Sequence, residues 1–144
     1  MIAIDTNVLL RYLLLDDKAQ SHKAVSLITS SVPALVTDVV LVETMWVLTG
    51  KRYKLDREAI AGVISALFAE PNIVFEDRQT VWRALNDYKK ARPVKVGGKK
   101  KSADFPDALV VNKAMRQARE WGQAFEGVYT FDVAALEILG TLSP

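Results

Sequence analysis

Short apolar segments alternate with longer segments of helical spacing along the chain, and this alternation most constrains the fold. The apolar segments are "IAI", "PALV", "NIVF" and "GVYTF". Each precedes a stretch in which apolar residues recur at intervals of three and four, the spacing of an α-helix with one buried face. Strands that alternate with helices are typical of a parallel sheet covered on both faces. The sequence therefore predicts an α/β fold with a short parallel central sheet.

Composition narrows the class of protein further. The chain has 144 residues, of which 50% are hydrophobic, and a formal net charge of +2. This length predicts one domain, residues 1–144, with a sizeable core. No apolar run reaches the roughly 18 residues of a membrane helix, and Asp5 interrupts the start, unlike a signal peptide. The chain has no cysteine, which excludes disulfides and thiolate metal sites and favours a cytoplasmic protein without membrane attachment.

A carboxylate ends the first predicted strand, in "MIAIDTNVLL". One interpretation of Asp5 is a helix N-cap, because its oxygens accept hydrogen bonds from the unpaired amides of the first helical turn. The other is a functional acid, because ligands of parallel sheets bind beyond the carboxyl ends of the strands. Asp132, in "TFD", follows the last predicted strand in the same way. Both interpretations stay open for each of these two acids.

Glu43 is the only charged residue in "VVLVETMWVL". A helix that is apolar on all sides is normally buried, so we expect Glu43 to be a buried carboxylate. Such a group must be paired, neutralised or bound to a metal. An ion pair, for example with Arg11, is the structural alternative to a functional role.

Two further acids lie in "ADFPDALVV", where Pro106 favours the first turn of a helix. Asp104 is the better candidate for a helix cap. Asp107 is expected to contribute to a functional site. The structural alternative for Asp107 is that an acid in the first turn stabilises the helix dipole. Several carboxylates in one cleft repel one another unless a hard cation such as Mg²⁺ binds them. The predicted ligands, which also form the catalytic set, are Asp5, Glu43, Asp107 and Asp132. Thr6, Asn7 and Thr130 are expected to support them through hydrogen bonds.

The segment "KKARPVKVGGKKK" carries seven basic residues and no acid. Its two adjacent glycines predict a mobile loop in its second half. Such runs are often only solvated, but beside a site that handles phosphates they contact nucleic acid. The candidate substrate-binding residues are Lys99, Lys100, Lys101 and, nearer the predicted cleft, Arg11.

Four motifs in this order resemble the PIN domain, and in particular the VapC-type toxins of toxin–antitoxin pairs. They are "IDTNVLLRYLL", "LVETMWVL", "ADFPDALVVNKA" and "VYTFD". The resemblance implies a three-layer α/β/α sandwich and an endoribonuclease that depends on Mg²⁺ or Mn²⁺. It assigns the family's acids to Asp5, Glu43, Asp107 and Asp132, with Asp104 as an additional acid. It also implies a cognate antitoxin and a homodimer.

Three functions follow from these observations. The first is a metal-dependent endoribonuclease toxin, a hydrolase that cleaves RNA phosphodiester bonds with a metal-activated water. The second is an aspartate-nucleophile phosphatase of haloacid-dehalogenase-like type, disfavoured because Asn7 stands where the usual general acid would be. The third is a non-catalytic PIN-like module that keeps the fold and binds nucleic acid, and such a module would not need a negative cluster. His22 is the only histidine, so ribonucleases that use paired histidines are excluded.

Overall fold

The computed structural model describes all residues, 1–144. Six α-helices alternate with short strands, as the sequence predicts. The helices are α1 (Thr6–Leu14), α2 (Lys18–Ile28), α3 (Asp38–Thr49), α4 (Arg57–Ala69), α5 (Arg78–Lys90) and α6 (Phe105–Glu120). The strands are β1 (Ile2–Ala3), β2 (Ala34–Val36), β3 (Ile73–Phe75), β4 (Val94–Val96), β5 (Lys99–Lys101), β6 (Val128–Tyr129) and β7 (Thr141–Leu142).

Local capping chemistry sets where the helices begin. A side-chain oxygen of the residue before the helix accepts a hydrogen bond from an amide in the first turn, as N-caps do. In α3 the cap is Thr37, and in α4 it is Asp56. The other side-chain caps are Asp5 for α1, Asp17 for α2 and Asp104 for α6. Five of the six helix starts are therefore fixed by residues that can be identified in the sequence.

The first three strands form a parallel sheet in the order β1-β2-β3. Ile2 pairs with Ala34, and Ala34 pairs with Ile73. The helices between consecutive strands are the connections that parallel pairing requires. This arrangement confirms the predicted mixed α/β fold class with a short parallel sheet.

The chain forms two compact units, Met1–Arg78 and Gln79–Pro144. The first contains the three-stranded sheet and α1 to α4. The second contains α6, nearly all of α5, and two separate strand pairs, β4-β5 and β6-β7. That residues 1–144 form a single domain stays a prediction. No helix is long and apolar enough to cross a membrane.

The basic segment is not the loop that the sequence suggests. Its second half is an antiparallel hairpin in which Val96 pairs with Lys99. The turn residues Gly97 and Gly98 both have positive φ, 57° and 79°. A two-residue turn with positive φ at both positions matches the twist of a hairpin and favours glycine, so these glycines close the hairpin.

The segment after Asp132 also differs from the prediction of a terminal helix. It forms only a 3₁₀ turn, Ala135–Glu137, before β7. Gly140, three residues after this turn, has φ +96°, and a Cβ there would lie 2.9 Å from Val111 Cγ1. Strand β6 then pairs with β7, in parallel, and not with the three-stranded sheet. Because Thr141 already begins β7, the chain after Asp132 has only this short turn in place of a helix.

Candidate functional site

Asp5 is confirmed as a helix cap, whereas the other interpretation, a functional acid, stays a prediction. It follows the residues of β1 and is the N-cap of α1, where its Oδ1 accepts a hydrogen bond of 2.9 Å from the Val8 amide. The residue before it, Ile4, is buried, whereas the Asp5 side chain is exposed. The cap bond therefore fixes the carboxylate in orientation and keeps it open to solvent.

Glu43 lies next to the same helix start. Its Oε2 accepts a hydrogen bond of 2.5 Å from the hydroxyl of Thr6, the first residue of α1. This contact links α3 to α1 beside Asp5. The structure thus brings together three predicted site residues of the first unit: Asp5, Thr6 and Glu43.

The expectation that Glu43 is buried is wrong, because its side chain is exposed. Only one face of α3 packs inside the unit, and it is formed by Leu41, Thr44, Met45 and Leu48. The other face carries Val39, 67% exposed, and Trp46, 57% exposed, on either side of Glu43 along the helix. Helix α3 is therefore buried on one face only, although its sequence is apolar on all faces. Because the Glu43 carboxylate is exposed to solvent, it does not need an ion pair with Arg11.

Arg11 pairs instead with Asp16, through Nη1 and Oδ1 at 2.8 Å. Its Nε also donates to Oε1 of Gln20 on α2, at 2.7 Å. The hydrogen bond that Arg11 donates to Asp16 raises the pKa of the Arg11 guanidinium and lowers the pKa of the Asp16 carboxyl. Arg11 and Asn7 both line a cavity between α1 and α2, at whose edge Asp5 lies.

In the second unit, Asp104 and Asp107 form a reciprocal capping box at the start of α6. The Asp104 carboxylate accepts from the Asp107 amide, and the Asp107 carboxylate accepts from the Asp104 amide, both at 2.9 Å. Burial raises the pKa of Asp104 to about 6, and the nearby charges of Asp107 and Asp132 raise it as well. The predicted role of Asp104 as a cap is confirmed, and Asp107 shares in the same box.

Asp132 lies near this pair, held by its own set of contacts. Its amide donates to Thr130 Oγ1 at 3.0 Å, and its Oδ1 accepts from the Ala134 amide at 2.8 Å. Lys101 Nζ lies 3.1 Å from its Oδ2. Burial acts to raise the pKa of Asp132, but the bonds from Lys101 and from the Ala134 and Ala135 amides outweigh it and hold this pKa below its ordinary value.

The predicted site residues thus form one group in each unit. The first unit holds Asp5, Thr6, Asn7, Arg11 and Glu43, and the second holds Asp104, Asp107, Thr130, Asp132 and the three hairpin lysines. Neither unit alone presents three His, Cys, Asp or Glu side chains grouped to hold a metal ion. Convergence of the four catalytic acids stays a prediction.

The donor atoms of each group fit a hard divalent cation. All candidate ligands are carboxylates, and Mg²⁺ is commonly held by one or two carboxylates, its remaining positions being filled by water and substrate phosphate. Asp5 and Glu43 suit such a site, since both side chains are exposed. Asp5 Oδ1 makes the cap bond and Glu43 Oε2 accepts from Thr6, so each keeps a second oxygen for a ligand.

Sequence reasoning missed two arrangements around these acids. Lys101 was assigned to RNA alone, yet it pairs with Asp132. Gln20 and Lys23 of α2 line the cavity next to Asp5 and were not singled out. Nothing in the sequence indicates the ion pair of Lys101, because its partner Asp132 lies 31 positions further along the chain. Nothing in the sequence indicates Gln20 or Lys23, because their position depends on how α2 packs against α1.

The raised pKa of Asp104 predicts that Asp104→Asn stabilises the protein at neutral pH. Between pH 4 and 6 the folded state binds more protons than the unfolded state, so this carboxyl lowers stability as the pH rises. Asn keeps the cap and removes the titration. After discounting for solvent screening, we expect a gain of about 1 kcal/mol at pH 7 and none at pH 4, measured by urea unfolding.

The matched control is Asp56→Asn, which changes an exposed N-cap of α4 in the same way. It should give no gain at pH 7, because its carboxylate is not enclosed. Equal effects of the two substitutions at pH 7 would contradict the burial of the Asp104 charge as the cause.

Comparison with known proteins gives one finding on the family. The family model described as PIN domain matches residues 2–121 of this chain. The match includes Asp5, Glu43, Asp104 and Asp107 and ends before Asp132. A search of curated proteins found no match.

Proposed function

Because this chain belongs to the PIN-domain family, whose members are in general metal-dependent nucleases, we propose that it is an endoribonuclease that uses Mg²⁺ or Mn²⁺. We further propose that it is the toxin of a toxin–antitoxin pair, as its resemblance to VapC-type toxins implies. The reaction is hydrolysis of RNA phosphodiester bonds.

The observation that carries this proposal is the hydrogen bond from Thr6 to Glu43. This bond holds the exposed Glu43 of α3 at the start of α1. Thr6, which donates it, is the residue that follows Asp5. An exposed carboxylate on the mostly apolar helix α3 does not contribute to the stability of the core. Its fixed position beside a second carboxylate is what a hydrolytic metal site requires.

In this mechanism the protein residues position charge and hold the substrate. When bound, the divalent ion supplies Lewis-acid stabilisation of the phosphodiester and lowers the pKa of water. Asp5, oriented by the Val8 amide, and Glu43, oriented by Thr6, hold the ion. Asn7, which lines the adjoining cavity, donates to the substrate through its amide.

The resemblance to VapC-type toxins also assigns acids of the second unit to the catalytic set. Asp107 and Asp132 are the remaining proposed ligands, with Asp104 as a supporting acid and Thr130 holding the Asp132 backbone. Lys99 and Lys100 are exposed on the hairpin and are proposed to contact RNA phosphates. Lys101 is proposed to share this role, exchanging its ion pair with Asp132 for phosphate when RNA is bound.

A cognate antitoxin, a homodimer and a cytoplasmic location are also proposed, on the resemblance to VapC-type toxins. The exposed apolar side chains of Val39 and Trp46 beside Glu43 support a protein partner. Covering such an apolar surface removes it from water and so favours binding. An antitoxin bound there would block access to Glu43. The family match favours the nuclease over the phosphatase, which it does not explain. A non-catalytic PIN-like module would give the same match, and only the set of acids speaks against it, because a module that binds polyanions needs no negative cluster.

The proposed metal site predicts that Mn²⁺ stabilises the protein. A ligand that binds only the folded state raises its stability by mass action. With Mn²⁺ at ten times its dissociation constant, we expect the melting temperature to rise by about 3–6 °C. The same ion should switch on cleavage of a single-stranded RNA, and EDTA should reverse both effects.

Glu43→Gln should abolish this shift, whereas Glu58→Gln, an exposed glutamate in the first turn of α4, should retain it. Equal shifts in both variants would place the ion elsewhere. No Mn²⁺-dependent cleavage by the wild-type protein would reject the nuclease.

A further inference from the structure

A cavity lies between α1 and α2, beside the proposed metal ligand Asp5. Its volume is about 320 Å³, and Asp5 and Asn7 line one end of it. Ligand pockets in proteins have volumes of roughly 300–1,000 Å³. This cavity is therefore sized for one small molecule or one unit of a polymer.

One wall of the cavity is polar and fixed. Arg11 on α1 donates to Gln20 on α2 at 2.7 Å and pairs with Asp16 at 2.8 Å. These contacts join the two helices and hold the guanidinium and the amide in place. A wall that is already ordered loses little conformational freedom when a ligand binds.

The remaining lining combines one unpaired cation with apolar side chains. Lys23 has an exposed side chain and no salt bridge to the carboxylates of the chain. The apolar part is formed by Val8, Ala24 and Leu27. An apolar surface with a few convergent polar groups and a cation suits a planar base that carries a phosphate.

We propose that this cavity is a nucleotide-binding subsite for the RNA strand next to the cleaved bond. A base packs against Val8 and Leu27, and its phosphate contacts Lys23 at the rim. The inference rests on the proposed ribonuclease function and adds where one nucleotide of the substrate binds. It assigns binding roles to Lys23 and Leu27 that family membership does not.

The location of Asp5 favours a nucleotide over an unrelated small ligand. Asp5 is one of the cavity-lining residues and also a proposed ligand of the catalytic ion. A nucleotide in the cavity thus places a phosphodiester linkage at Asp5.

The test measures binding without metal and without turnover. Backbone amide signals of the full chain are followed by NMR during titration with adenosine 5′-monophosphate, adenosine and inorganic phosphate. We expect the nucleotide to shift signals of Asn7, Gln20 and Ala24 with a dissociation constant of about 1 mM. Adenosine and phosphate alone should bind more weakly than the nucleotide, because adenosine lacks the phosphate contact to Lys23 and inorganic phosphate lacks the base contacts to Val8 and Leu27.

Two variants and a control sharpen the test. Lys23→Ala should weaken nucleotide binding about fivefold by removing one charge-assisted contact to phosphate. Leu27→Ala should weaken binding of the nucleotide and of adenosine alike. Lys18→Ala removes the same charge from α2, at a position that does not line the cavity, and should bind as the wild type does.

Several results would overturn the subsite. If inorganic phosphate shifts the same amide signals as strongly as the nucleotide does, the cavity binds anions and has no site for a base. Shifts confined to other parts of the chain, or equal affinities of Lys23→Ala and Lys18→Ala, would reject it. An active ribonuclease without these shifts rejects the subsite alone, whereas shifts in a protein that cleaves no RNA reject only the proposed reaction.

Discussion

Replacing Asp5 by Asn should lower the rate of metal-dependent RNA cleavage by roughly 10²- to 10³-fold or more while the protein stays folded. Asn caps helices about as well as Asp, so the bond from the Val8 amide is kept. The substitution removes one negative charge from the proposed metal site. Rates of cleavage of a single-stranded RNA with Mg²⁺, and melting temperatures, measure the two effects separately.

Asp17→Asn is the matched control, because Asp17 caps α2 through the Gln20 amide just as Asp5 caps α1. This control should cleave RNA at the wild-type rate. Glu43→Gln should resemble Asp5→Asn, and the double variant should be no slower than either single one, because both disable one site. Wild-type cleavage by Asp5→Asn would leave the helix cap as the whole role of this residue.

Replacing Phe105 by Ala should destabilise the protein by about 3–5 kcal/mol. Phe105 is 1% exposed, and its ring packs edge-to-face on Tyr88, with centroids 6.1 Å apart. It is also the first residue of α6, directly after the cap Asp104. Loss of the ring leaves a cavity under the helix start that carries Asp104 and Asp107. Urea unfolding measures the loss.

Phe131→Ala is the control for this substitution. Phe131 is 90% exposed, so its truncation should change stability by no more than about 0.5 kcal/mol. Phe105→Leu should cost clearly less than Phe105→Ala, because it fills most of the space. A loss below about 1 kcal/mol for Phe105→Ala would show that the core relaxes around this position.

The sequence alone determined the starts of most elements and the positions of the candidate acids along them. Asp104 could be identified as a cap because an N-cap bond joins residues only two or three positions apart. Such bonds need no information from the rest of the chain. The same locality explains why Asp5 was correctly placed between a strand and a helix, as both patterns lie within ten residues.

Contacts between distant segments were decided only by the tertiary structure. The exposure of Glu43 followed from which face of α3 packs inside the unit, and its bond to Thr6 joins residues 37 positions apart. The ion pair of Lys101 with Asp132, 31 positions apart, depends on the hairpin that Gly97 and Gly98 close. No sequence period encodes these distances.

The cavity between α1 and α2 also combines residues that the sequence indicated with residues that only the packing of the helices brought there. The sequence singled out Asn7 and Arg11, which lie on α1, and Asp5, which caps this helix. It could not indicate that Gln20 and Lys23 face these residues, because the rotation of α2 is set by the burial of Ser21, Ala24 and Ile28. Local hydrogen bonds and periodicity thus define the elements, whereas packing against non-local neighbours decides which of their side chains meet.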